Sequence, residues 1–158
     1  VIINKSSKQM KVQLNRKNVE YIYRVREVEK KVSRGAAIKE VRKFAVEQQQ
    51  LMGKNKGVIM DGRDIGTVVF PKAELKIFLT ADNMVRVERR FKELYAKNPN
   101  ITIDEVKANL EMRDYIDSNR KVDPLRQAED AILLDNTNLT EEETVNKALH
   151  LVKKVSGK

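Results

Sequence analysis

Val58-Ile59-Met60-Asp61-Gly62-Arg63-Asp64 sets an apolar run against a cluster of charge, and Ile65-Gly66-Thr67-Val68-Val69-Phe70 carries a second apolar run up to Pro71. Val58, Ile59 and Met60 have the length and character of a strand buried on both faces, the kind a parallel sheet uses. In open α/β sheets, ligands bind just beyond the carboxyl ends of such strands. That rule puts Arg63 and Asp64 where a guanidinium fork and a carboxylate can meet one small polar ligand. An Asp-Gly pair alone marks an ordinary turn. Four consecutive charged or glycine positions at a strand end are much less ordinary.

Outward from this stretch the pattern alternates. Toward the N-terminus, residues 1–23 read as short strands and turns, with Val12 and Leu14 alternating with polar neighbours, so a small antiparallel unit is expected. Residues 24–52 change to helical spacing through Val25, Val28 and Val32, break at Ser33-Arg34-Gly35, and resume with Ile38, Val41, Ala45 and Leu51 until Gly53. Toward the C-terminus a second strand is expected over 75–79 and a third over 131–134. Between them Asp82 can cap a helix to about residue 97, and Thr102 with Glu105 forms a capping box for another to about residue 117. Thr140 with Glu143 opens a C-terminal helix in the same way. Strands alternating with helices predict an α/β fold with a parallel sheet. Such sheets rarely stop at three strands, so a further segment is expected ahead of residue 1.

Composition narrows the chemistry. A chain of 158 residues fits one domain or a core with a small appendage. Cysteine is absent, which excludes disulfides and thiolate metal sites and suits a reducing cytoplasm. The single histidine, His150, lies in the C-terminal helical stretch, away from any triad or zinc pattern. No apolar run approaches a membrane span and no signal-peptide pattern opens the chain, so a soluble, cytoplasmic protein is expected. Lys plus Arg number 32 against 23 acidic residues, a net charge of +9 that fits a phosphate-rich partner. Aromatics are only 5% and scattered, with no interleaved basic–aromatic platform of the kind that stacks bases, and charge alone does not separate nucleic acid from free nucleotides.

Arginine placement is the second strong signal. Arg113, Asp114, Asp117 and Arg120 form Arg-Asp-x-x-Asp-x-x-Arg, whose three- and four-residue spacings put Arg113, Asp117 and Arg120 on one helix face. The plain reading is a solvated ion-pair ladder. Against it, the motif runs into Lys121-Val122-Asp123-Pro124-Leu125, where helix gives way to loop, and the planar fork of arginine suits bidentate phosphate contacts. Arg86, Arg89 and Arg90 follow the second strand, while Ser33 and Arg42 flank the helices of the first unit.

Together these motifs resemble the bacterial cytidylate (CMP) kinases. Asp61-Gly62-Arg63-Asp64 with Gly66-Thr67-Val68-Val69-Phe70-Pro71 is specific for that family. Glu27 to Ala37 is similar to its Glu-Val-x-x-x-x-Ser-x-x-Ala-Ala stretch, Val41-Arg42 to the Val-Arg that follows, and 113–120 to its lid motif. The resemblance implies a parallel-sheet P-loop nucleoside monophosphate kinase fold in which residues 1–53 form an inserted nucleotide-binding unit. Residues 54–158 would be the rest of the core, with a lid near 110–125. It implies transfer of the γ-phosphoryl of ATP to CMP, and to dCMP, in pyrimidine metabolism. By the same token Ser33, Arg42 and Asp64 would read cytosine, and Arg63 would hold the acceptor phosphate. Asp117 would lie near the ribose, Arg113 and Arg120 would act catalytically on phosphates, and Arg89 would reach the donor nucleotide. A monomer is expected for the intact enzyme. The Gly-x-x-x-x-Gly-Lys-Ser/Thr loop, expected to supply the main Mg2+ ligand, does not occur in these 158 residues. The chain alone is therefore expected to be inactive in transfer. The alternative is a non-catalytic nucleotide- or RNA-binding module.

Overall fold

The computed structural model describes residues 2–4, 9–11, 13–14, 17–18 and 34–157. Its N-terminal backbone forms two antiparallel ribbons. In the first, β1 (Ile2–Asn4) pairs with β2 (Gln9–Lys11), and in the second β3 (Gln13–Leu14) pairs with β4 (Lys17–Asn18). The expected small antiparallel unit is present. The helix expected from residue 24 and the strand expected over 19–23 lie outside the described residues.

After a helical turn at 34–36, α1 spans Lys39–Gly53 and stops at the glycine the sequence marked. Its large apolar side chains, Val41, Phe44, Leu51 and Met52, are exposed, and its one buried residue is Arg42. The helix is thus docked mainly through polar groups. Gln50 Nε2 donates to the Val69 carbonyl at 3.2 Å, and the Phe70 ring lies where a side chain at Gly53 would be, 2.4 Å from an added Cβ. Only glycine permits that approach.

Residues 58–61 are not a strand, contrary to the sequence expectation. A strand exists through a partner's hydrogen-bond ladder, and among the described residues this segment has none. Ile59, expected in a buried sheet, is 97% exposed. The second apolar run does not extend either. It coils into a single π-helical turn over Ile65–Val69, where the Asp64 carbonyl accepts from the amides of Thr67, Val68 and Val69. Wide turns of this type are frequent at functional sites.

The remaining elements form one parallel unit. β5 (Ile77–Thr80) pairs with β6 (Ile132–Asp135) in the register Ile77↔Ile132 to Thr80↔Asp135. Both strands begin one or two residues later than expected. α2 (Asn83–Tyr95) and α3 (Ile103–Asn119) lie between them in sequence, and α4 (Glu141–Ser156) follows. All three expected caps form. Asp82 accepts from the amides of Met84 and Val85, and Thr102–Glu105 and Thr140–Glu143 are reciprocal capping boxes. The core is the α2–α3 seam, where Val87, Ile101 and Val106 are buried beneath Phe91, Leu94 and Leu110. Arg86 to Asp114, at 2.7 Å, clips the same two helices at the surface. By contrast Leu79, Ile132 and Leu133 on the two-stranded sheet are largely exposed.

Candidate functional site

Asp64 sits at the head of the π turn, buried, with its carboxylate facing two arginines from distant stretches. Arg42 Nη2, reaching from α1, donates to Asp64 Oδ2. Arg120, the residue that ends α3, places Nη2 at 3.7 Å from Asp64 Oδ1, within ion-pair range but beyond a hydrogen bond. Gly62 permits the turn that presents this aspartate, since a Cβ there would meet Ile65 Cγ1 at 2.8 Å.

The network continues through the end of α3. Asp117 is buried to 3% exposure and accepts from Arg63 Nε at 3.1 Å, while Arg120 Nη1 lies 3.9 Å from its other oxygen. The spacing that put Asp117 and Arg120 on one helix face is therefore realised, and that face turns inward rather than to solvent. Arg63 keeps its guanidinium partly open to water and, among the described residues, is anchored at Nε. Arg113, one turn earlier, has a buried Nε with no hydrogen-bond partner among the described residues, and Arg120 Nη2 is unpartnered in the same sense. Two unsatisfied, buried guanidinium donors are uncommon in a folded chain and mark a place suited to an anion.

One member of the network was missed in the sequence. Asp123 accepts from Arg42 Nε at 3.0 Å through its carboxylate and from Arg120 Nε at 2.5 Å through its carbonyl. It read there only as part of the loop after the helix, because Asp-Pro is a common turn element.

Three arginines (42, 63 and 120) and three aspartates (64, 117 and 123) thus interlock. Burial, followed by repulsion from Arg42, lowers the Arg120 pKa, with Asp117 and Asp123 opposing the shift. Within this cluster Arg63 is part-exposed and Arg120 Nη2 makes no hydrogen bond among the described residues, so donor capacity remains beyond what the aspartates use.

Of the other candidates, Ser33 lies outside the described residues. Arg89 stands apart from the cluster on α2, where its fork donates to the carbonyls of Asn136 (2.8 Å), Thr137 and Leu139 and to the Asn136 side chain. It ties down the loop after β6, beside the carboxyl ends of both strands, where Asp82 N also donates to Thr137 Oγ1 at 2.8 Å.

A parallel α/β unit and an inward-facing arginine–aspartate cluster at the head of an Asp-Gly-Arg-Asp turn define an α/β protein with a buried charge network. The cytidylate kinase family model matches residues 2–154, and the chain belongs to that family. It is 51% identical to a cytidylate kinase of Flavobacterium psychrophilum across 90% of this chain and 63% of that protein. It is 55% identical to the cytidylate kinase of Bacteroides thetaiotaomicron across 82% of this chain, and 57% identical to that of Porphyromonas gingivalis across 80%. The aligned part covers 57% and 55% of those two relatives, so the chain spans somewhat more than half of their length.

Proposed function

We propose that this chain carries the acceptor-binding and lid portion of a cytidylate kinase, which transfers the γ-phosphoryl of ATP to CMP or dCMP. The observation that carries the reading is the convergence of Arg42, Arg63, Asp64, Asp117 and Arg120, from three separate stretches, into one interlocked cluster. Cytosine presents an exocyclic amine donor beside acceptors at N3 and O2. Asp64 can accept from the amine while Arg42, with Ser33, donates to the ring acceptors. Arg63, anchored at Nε with its guanidinium part-exposed, suits the acceptor phosphate, and Asp117 would lie near the ribose. Residues 1–53 form the nucleotide-binding insertion in this reading, and 110–125 the lid.

In the reaction, an oxygen of the CMP phosphate forms a bond to the γ-phosphorus. The bond from that phosphorus to the β–γ bridging oxygen breaks, its electron pair leaving on ADP, and CDP results. The transition state is loose, so the protein's work is positioning and neutralising spread charge. Arg113 and Arg120 supply unsatisfied guanidinium donors for that task. Arg89 would touch a donor nucleotide only at the loop it already braces.

ATP and Mg2+ enter this reading through the family. Asp64 and Asp117 are both engaged by arginines, and no group of three or more His, Cys, Asp or Glu suited to a metal occurs among the described residues. These residues do not fit a magnesium site, and no step is assigned to the ion. Since a Gly-x-x-x-x-Gly-Lys-Ser/Thr loop does not occur in the sequence, the chain by itself is expected to show no useful turnover.

The test is calorimetric titration of the folded chain with CMP, with AMP as control. Selective CMP binding supports the reading. A folded chain that ignores CMP but binds single-stranded RNA, with affinity falling steeply as salt rises, would replace it with the RNA-binding alternative that the charge of +9 suggests.

A further inference from the structure

We propose that Asp123 is a positioning residue for the acceptor nucleotide, holding Arg42 in the orientation that leaves one edge of its guanidinium for the ligand. The proposal rests on the nucleotide-binding reading above and goes beyond it by adding a residue outside the motifs that carried it.

The backbone is bent to make the contact. α3 ends at Asn119, Arg120 leaves in an extended conformation, and the chain turns left-handed at Asp123, with φ of 49°. Few L-residues adopt that region, although aspartate tolerates it better than most. Strained conformations persist where the surroundings over-determine them, and here three bonds do so. The Asp123 carbonyl accepts from Arg120 Nε, its carboxylate accepts from Arg42 Nε, and the Leu125 amide closes the loop on the Asp117 carbonyl at 2.7 Å.

The consequence follows from guanidinium geometry. The group is planar, with five donors in fixed directions. With Nε on Asp123 and Nη2 on Asp64, the plane is set at two points, and Nη1 makes no hydrogen bond among the described residues. Without Asp123, the fork can close on both oxygens of Asp64, the favoured bidentate arrangement. That closure would consume the Arg42 donors and the Asp64 acceptor together. Asp123 keeps the pair monodentate and leaves both groups free for one base. Its carboxylate also brings the cluster to three negative charges against three positive, so that the buried Arg42 need not draw its whole compensation from Asp64.

The experiment compares the full chain with Asp123→Gly and Asp123→Asn by calorimetric titration with CMP and with AMP, folding being checked by circular dichroism. Glycine accepts the left-handed turn and keeps the carbonyl for Arg120, so it removes the carboxylate alone. Asparagine tolerates the turn and retains a neutral, weaker acceptor. The expected result is a roughly tenfold loss of CMP affinity in the glycine variant, AMP being unchanged, and about a two- to threefold loss in the asparagine variant. The NMR signal of the Arg42 Nε–H should shift in the glycine variant as it leaves its carboxylate. Two outcomes overturn the proposal: wild-type CMP affinity in either variant, or equal losses for CMP and AMP, which would reveal a loop-folding role alone. Should the glycine variant not fold, the asparagine variant decides by the same criterion. A wild-type chain with no CMP preference would overturn the functional reading first, and this inference with it, before any variant is compared.

Discussion

Asp64 shows how far a single side chain can commit a fold. It is buried, it holds Arg42 in a direct hydrogen bond, and Arg120 lies within ion-pair distance on its other side. Removing one partner of a buried pair leaves an uncompensated charge and typically costs about 3–5 kcal/mol, while replacing both by apolar groups of similar volume is often neutral. Asp64→Ala is therefore expected to lower unfolding free energy by about 3 kcal/mol or more. The double variant Arg42→Met/Asp64→Leu should recover most of that loss, because both charges leave together. Urea titrations of the three chains read the difference. CMP binding should be lost in both variants, which would separate the stability of the pair from its recognition role. A double variant as unstable as Asp64→Ala would show that Arg120, and not Arg42, is the partner that matters.

At the scale of elements, caps and not propensity define the helix starts. Thr140 and Glu143 exchange hydrogen bonds across the first turn of α4, the Thr140 amide donating to Glu143 Oε2 at 2.8 Å and the Glu143 amide to Thr140 Oγ1 at 3.1 Å. The Glu143 carboxyl is held below its ordinary value of 4.5, first by that amide and then by the Thr140 hydroxyl. A carboxyl whose pKa is lowered on folding contributes stability above its unfolded value and loses it as pH falls through the folded one. Helicity followed by circular dichroism should thus hold down to about the ordinary glutamate range and decline below it. Glu143→Gln should be less stable than wild type at neutral pH, and the two chains should converge in acid. An unchanged gap at low pH would mean that the ionised carboxylate is not what the cap uses. The expected strand that did not form belongs to the same scale. Helices close their hydrogen bonds internally, so local cap residues suffice to place them, whereas residues 58–61 needed a neighbour that their own sequence cannot supply.

For the whole molecule, the imbalance lies between a well-covered helix seam and a thinly covered sheet. Val87 and Val106 are buried between α2 and α3, yet Ile59, Leu79, Ile132 and Leu133 face outward. Burial of apolar surface contributes about 25 cal/mol per Å2, so a side chain left in water contributes almost nothing to stability. Ile59→Lys is accordingly expected to leave the melting temperature of this chain nearly unchanged and to reduce its self-association, measured by light scattering. Val87→Ala, in the seam, should cost about 2 kcal/mol. A marked loss of stability from Ile59→Lys would mean that the segment is covered in solution.

Much of this was legible in residue order alone. Asp82, Thr102 and Thr140 announced three helix starts, Gly53 announced a helix end, and β5 and β6 were found within two residues, because caps and apolar runs act locally. The Asp-Gly-Arg-Asp turn and the Arg-Asp-x-x-Asp-x-x-Arg helix were visible as motifs, and the family with them. Residue order could not show that α1 docks through a buried arginine, that Arg89 braces a loop, or that Asp123 joins the site. Those facts depend on groups up to 81 residues apart meeting in space. Local chemistry therefore determined most elements of this chain, and its motifs carried the resemblance to the family. Only the tertiary structure decided which charges face one another, because an ion pair is set by distance through space and burial, and neither is written in spacing along the chain.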